Sequence, residues 1–129
     1  MKQDNQTNTY FLYRRKSTDD DRQVLSLSSQ EEEAQRMSRD IKIIKLPPES
    51  VSAFEPYKRP VFANMIERLK KGEAQGIIAW HPDRLSRNPI DAAQIIYLLD
   101  TKIIKDLKFC SYYFDNSPEG KMMLQIVMS

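Results

Sequence analysis

Apolar positions along the chain change their period several times, and each change marks an element. Tyr10 to Arg14 (YFLYR) follows a polar lead-in, Met1 to Thr9, and reads as a first buried strand. Lys16 to Gln23 is polar and turn-like. Ser28 or Ser29 can cap a helix, with Glu31 or Glu32 three residues on, and that helix is expected to run to about Arg39. Ile41 to Leu46 (IKIIKL) is a second strand, stopped by Pro47 and Pro48. Glu49 to Lys58 has no clear period. Pro60 then opens a helix whose Phe62, Met65, Ile66 and Leu69 share a face, and Gly72 ends it. Gly76 to Trp80 (GIIAW) is apolar throughout, as expected for the middle of a parallel sheet. His81 to Arg87 is a polar loop at its end. Asn88 and Pro89 start a helix carrying Ala92, Ala93, Ile95, Ile96, Leu98 and Leu99. Leu107 to Phe114 is a fourth strand. Ser117 and Pro118 start a last helix, with Met122, Met123, Ile126 and Val127 as its apolar side.

Strand alternating with helix predicts an α/β fold: three layers, with a mostly parallel sheet of four to five strands flanked by helices. Ligands of such open sheets sit beyond the carboxyl ends of the strands. Two polar clusters fall at such ends. Arg15-Lys16-Ser17-Thr18 follows the first strand, and Asp83-Arg84-Leu85-Ser86-Arg87 follows the third.

Composition narrows the classes. A chain of 129 residues, 40% hydrophobic and 29% charged, has room for one globular domain. No apolar run approaches the roughly 20 residues of a membrane span, and the polar N-terminus lacks a secretory signal's apolar core. Residues 1–9 read as a disordered tail. The last helix reaches Ser129 without a capping signal, so the parent protein is expected to continue. The net charge of +2 is too mild to argue for nucleic acid by itself. Any contact with DNA would use a local cluster. The single cysteine, Cys110, sits in an apolar stretch and reads as a buried, unreactive thiol in a cytoplasmic protein.

Several chemistries lack their residues. There is no GxxxxGK[ST] loop and no GxGxxG, and three glycines leave little scope for a dinucleotide loop. One histidine and one cysteine do not make a common zinc site. The acids Asp19 to Asp21 read as a solvated turn. What remains is serine with several arginines, a set that suits phosphoryl transfer. Guanidinium forks match the equatorial oxygens of a pentacoordinate phosphorus and stay charged at any working pH. A serine hydroxyl needs activation, and adjacent guanidiniums lower its pKa without a histidine base.

These residues carry a family resemblance. Tyr13-Arg14-Arg15-Lys16-Ser17-Thr18 resembles the Tyr-x-Arg-x-Ser-Thr signature of the serine recombinases (resolvases, invertases and large integrases). Ser26-Leu27-Ser28-Ser29-Gln30 is similar to that family's Ser-Leu-x-x-Gln. Arg59-Pro60 with Phe62 and Met65 is similar to its Arg-Pro segment. Asp83-Arg84-Leu85-Ser86-Arg87 matches its Asp-Arg-Leu-Ser-Arg, and Glu119-Gly120-Lys121-Met122 resembles the start of its long last helix. The five matches come in family order and cover Tyr10 to Ser129.

The resemblance implies a resolvase-like catalytic domain over residues 10–129, with the DNA-reading region outside this chain. It implies that Ser17 attacks a DNA phosphodiester to form a 5′-phosphoserine link, and that rejoining needs neither metal, ATP nor any other cofactor. Arg15, Arg84 and Arg87 would bind the scissile phosphate. Asp83 would orient an arginine or help move the proton on the leaving 3′ oxygen. Arg59 would be a phosphate or network arginine, and Gln30 would support the site. Ser52 would match a loop serine, although the family's Ser-Gly is here Ser52-Ala53. The implied partners are crossover-site DNA and further copies of the chain, a dimer on one site and a tetramer in the synaptic complex. The implied location is the cytoplasm, at the nucleoid.

Plainer readings stand beside these. Ser17 can be a turn serine and the arginines surface ion-pair residues. Arg14 and Lys16, alternating with the candidates, are expected on a solvated face. His81 is expected to be structural, Trp80 to be core, and Met122 with Met123 to be core or interface. Two other functions remain. One is a catalytically silent module of the same fold that oligomerises or organises DNA. The other is a phosphatase, which would use a metal or a cysteine nucleophile.

Overall fold

In the computed structural model, residues 9–15, 27–36, 40–50 and 56–129 are described, those of 27–29 by their backbone only. Four strands, β1 (Thr9–Leu12), β2 (Lys42–Lys45), β3 (Gly76–Ala79) and β4 (Asp106–Phe109), form one sheet in the order β2-β1-β3-β4. Every pairing is parallel: Tyr10 lies opposite Ile43 and Gly76, and Ile77 opposite Leu107. Among the described residues five helices are interleaved: α1 (Leu27–Arg36), α2 (Pro60–Lys70), the single turn α3 (Pro82–Leu85), α4 (Pro89–Asp100) and α5 (Pro118–Met128).

Side chains alternate across each strand, which sorts the core into two layers. Phe11, Tyr13, Ile77, Ala79, Leu107 and Phe109 face α2, α4 and α5, meeting Met65, Ile66, Ile95, Leu98 and Leu124. Tyr10, Leu12 and Ile78 face the other way, against Ala34 of α1. The three-layer parallel α/β architecture is therefore the one the sequence predicts, with four strands among the described residues.

Local chemistry sets the helix ends. Asn88 and Ser117 cap α4 and α5 by accepting the amides of Asp91 and Gly120. Gly72, at φ +83°, closes α2: its amide donates to Leu69 O and that of Glu73 to Arg68 O, a Schellman pair. The same pair ends α4, but Lys102 holds the left-handed position at φ 66°.

Several expectations need correction. The fourth strand ends at Phe109 rather than Phe114. Ser111 Oγ donates to Trp80 O, and the chain turns so that Phe114 returns to the core while Tyr113 stays in solvent. The loop after β3 contains the turn α3. Ser28 and Ser29 are themselves helical residues of α1 rather than caps before it. The buried side of α5 is Leu124 and Met128. Met122, Met123 and Ile126 are exposed, because α5 meets α3 and α4 along its other flank. Trp80 and Cys110 are half-buried rather than buried. Burial still pushes the Cys110 thiol up to about 11. Arg14 is buried, not solvated: its Nη2 donates to Leu46 O at 2.7 Å and its Nη1 lies 3.5 Å from Glu31. Lys16 lies outside the described residues. No helix among the described residues is long and apolar enough to cross a membrane.

Candidate functional site: the arginine rim between β1 and β3

The sheet order reverses between β1 and β3, since β2 and β4 lie on opposite sides of that pair. Connections leaving the two strands part in opposite directions, and the crevice beyond their carboxyl ends is where ligands of open parallel sheets bind. Arg15, from the first polar cluster of the sequence, and Asp83 to Arg87, the second, sit at those two ends.

Beyond β1 the backbone stays extended. Tyr13 N donates to Ile78 O at 2.9 Å, and Glu49 N to Arg14 O at 3.0 Å. Arg15 is 1% exposed. Its side chain crosses to α3, where Nε donates to Arg84 O at 3.2 Å and Nη2 to Asp83 O at 2.9 Å. Carbonyls at the end of a helical turn lack partners within it, and a guanidinium satisfies two at once. Arg15 thus fastens the end of β1 to the turn after β3.

That turn forms because His81 is extended and Pro82 follows at the first helical position. His81 Nδ1 accepts the Asp83 amide at 3.1 Å, so the ring acts as a cap, in keeping with its structural reading. Arg84 is buried, with Nη1 3.4 Å from Asp83 Oδ1. The Asp83 carboxylate, about a third exposed, also lies 3.2 Å from His81 Nδ1. Arg87, half-buried, follows in the same segment. The structure therefore brings Arg15, Asp83 and Arg84 into direct contact, with Arg87 three residues on. Gln30 is buried on α1. Ser17 and Ser52 lie outside the described residues.

Arg59 sits in a buried polar network. Its Nη1 donates to Tyr13 Oη at 3.0 Å and its Nη2 to Asp91 Oδ2 at 2.9 Å, and its guanidinium stacks 3.9 Å from the centre of the Phe62 ring. Glu49, 3% exposed, accepts from Tyr13 Oη at 2.7 Å and from the amides of Val61 and Phe62. It thereby caps α2 with a negative charge where the helix dipole is positive. Asn88 Nδ2 donates to Asp91 Oδ2 at 3.0 Å. Burial holds the Tyr13 hydroxyl protonated, far above a tyrosine's ordinary value. Arg59 thus has the partners that the network alternative calls for. Sequence reasoning missed Tyr13, Glu49, Asp91 and Ser86 as parts of the site's frame. Asn88-x-x-Asp91 carried a capping signal that points to one of them. Glu49 carried none, because its partners are 12, 13 and 36 residues away.

The sequence profile of the Resolvase N-terminal domain matches residues 10–129. The chain belongs to that family. This serine recombinase catalytic domain resembles the N-terminal catalytic domain of TP901-1 integrase at TM-score 0.68 and 20% identity, covering 92% of this chain and 90% of that one. It resembles the C-terminal catalytic domain of ISC1926 TnpA, an IS607-like serine recombinase, at TM-score 0.63 and 13% identity, over 92% and 95% of the two chains. The first open reading frame of transposon ISC1904 from Sulfolobus solfataricus P2 matches at 0.61 and 17%, over 89% and 74%. At such identities these likenesses speak for the fold alone. No curated protein matches the chain.

Proposed function

We propose that this recombinase domain cuts and rejoins DNA through Ser17. The Ser17 oxygen attacks a backbone phosphorus, the bond from phosphorus to the 3′ oxygen breaks, and that oxygen leaves as a hydroxyl. The 5′ end stays esterified to the serine. Attack by a 3′ hydroxyl from the exchanged strand reverses the step. One ester replaces another, so rejoining draws on no external energy source.

The supporting observation is the Arg15 fork on the carbonyls of Asp83 and Arg84, which joins two motifs 68 and 69 residues apart into one rim. Ser17 stands two residues after Arg15 in the same motif, and this reading sets it at the rim that Arg15 marks. Arg84 and Arg87 are the arginines this reading sets against the phosphate. Arg15, committed to backbone, builds the turn and adds positive charge that favours the serine alkoxide. Asp83 orients Arg84. The partners are crossover-site DNA and further copies of the chain, two per site and four in the synaptic complex. The exposed Met122, Met123 and Ile126 on α5 support self-association.

The test incubates the protein with a duplex carrying its crossover site and looks for a protease-sensitive covalent adduct. Ser17→Ala abolishes the adduct. An adduct that survives Ser17→Ala removes the nucleophile. Arg87→Ala slows cleavage about a hundred- to a thousandfold, the cost of one lost transition-state donor.

A further inference from the structure

Ser86 lies between Arg84 and Arg87 and is wholly buried. Its hydroxyl meets three backbone groups. Oγ is 3.0 Å from Asn88 O, within its own loop, and 3.1 Å from Met128 O, in the last turn of α5. It also accepts the Asn88 amide at 3.3 Å. A hydroxyl has one proton, so it donates fully to only one of the two carbonyls at a time. Donated to Asn88 O, the proton closes the loop on itself. Donated to Met128 O, it ties the arginine turn to α5 across 42 residues of chain. Met128 is itself fully buried, so the last turn of α5 is seated against this loop.

We propose that Ser86 is a positioning residue that couples the seating of the last turn of α5 to the geometry of the arginine turn. The proposal rests on the functional reading above, in that the turn it positions is the one offered to the phosphate. The turn is held from two sides. Arg15 fixes the carbonyls of Asp83 and Arg84 from β1, and Ser86 fixes the following residues from α5. A shift of α5 moves Met128 O out of reach, the proton passes to Asn88 O, and the peptides bearing Arg84 and Arg87 re-orient. A buried hydrogen bond with two alternative acceptors is a discrete element, so a displacement of the helix is read as one of two loop states.

The test is a coupling cycle read by amide hydrogen exchange on this chain. Ile126 is exposed, and Ile126→Gly loosens the last turn of α5 without emptying the core. With Ser86 present, Ile126→Gly should raise exchange at the amides of Ser86 and Asn88 about twofold, the factor by which glycine is a poorer helix former than isoleucine. In a Ser86→Ala background the same substitution should leave those amides unmoved. An equal rise in both backgrounds, or none in either, overturns the proposal. Should Ser86→Ala unfold, Ser86→Cys keeps the volume, weakens the donor, and should reduce the coupling. A second readout uses single-turnover adduct formation on the crossover duplex. Ser86→Ala slows it with DNA affinity unchanged, by about a hundredfold for a displacement near 1 Å, and Ser86→Thr restores part of the rate. Coupled exchange with an adduct that survives Ser17→Ala refutes the Ser17 reading and leaves the coupling standing. Uncoupled exchange with a normal adduct does the reverse.

Discussion

Removing the Asp91 carboxylate tests whether Arg59 belongs to the protein's frame or to its reactive surface. The two side chains are 1% and 4% exposed and 2.9 Å apart. Asp91→Ala leaves the guanidinium with the Tyr13 hydroxyl and the Phe62 ring, neither of which carries a compensating charge. Breaking one partner out of such a buried pair costs about 3–5 kcal/mol, a large share of a domain's whole stability. For a chain of this size that is a fall in melting temperature on the order of 12–20 °C. The double variant Arg59→Met with Asp91→Leu removes both charges and keeps the volume, and should recover most of the loss. Urea denaturation of the two single variants and the double closes the cycle, with an unchanged slope certifying that the midpoint reports stability. Singles that each cost less than about 1 kcal/mol and simply add would refute the buried-pair argument. Adduct formation supplies the second axis. If Arg59 only frames the site, cleavage recovers with stability in the double variant. If it also touches phosphate, the double variant folds and cleaves poorly.

Other outcomes follow from single features. Lys102→Gly should raise stability by about 1 kcal/mol in thermal denaturation, since a side chain in the left-handed region is strained and glycine is not. Gly120→Ala should destabilise strongly, because a Cβ there would meet Asp115 O at 1.8 Å. Cys110, pushed up to about 11 from an ordinary 9.0, has roughly a hundredth of the usual thiolate at pH 8. Higher intrinsic nucleophilicity returns about tenfold, so alkylation by iodoacetamide should run about ten times slower than in the urea-unfolded chain. Burial raises the hydroxyls of Tyr10 and Tyr13 above their ordinary 10.0, so the folded state holds these protons more tightly than the unfolded state. Their contribution is complete below pH 10 and is lost as pH rises beyond it. Stability to urea should therefore fall above pH 10, and less steeply in Tyr13→Phe.

How much of this the sequence disclosed depends on how local each cause is. β3 was readable because a run of apolar residues between a glycine and a polar loop has few other uses. α4 and α5 announced themselves through Asn88-Pro89 and Ser117-Pro118, whose capping chemistry acts within three residues. The end of β4 was not readable. Phe109 and Phe114 are both apolar and buried, and what separates them is a turn fixed by Ser111 on Trp80, a contact 31 residues away. The buried face of α5 was misplaced for a related reason. Met122, Met123 and Ile126 are as apolar as Leu124 and Met128, and only the position of α3 and α4 decides which flank is covered. Motif order located the arginines, while which of them are anchored to carbonyls or a carboxylate came from three-dimensional partners. Arg14 shows the limit most plainly: it looks like a solvated neighbour of Arg15, yet the carbonyl of Leu46 draws it inside.

The same anchoring bears on the proposed phosphate site, which lies beside much buried polarity. Guanidiniums crowded at one crevice repel one another, and the repulsion is tolerable only where each is anchored. Arg15 is held by two carbonyls and Arg59 by a carboxylate and a phenol, so on the proposed reading both contribute fixed charge rather than mobile donors. Their positive charge is fixed before substrate arrives, which is the condition under which electrostatic stabilisation needs no reorganisation during reaction. Lysine at either position would keep the charge and lose the fork. Arg15→Lys should therefore reduce cleavage more than DNA affinity, because the turn bearing Arg84 loses its second anchor. A loss confined to affinity would mean that Arg15 meets the phosphate directly and that the anchoring is incidental.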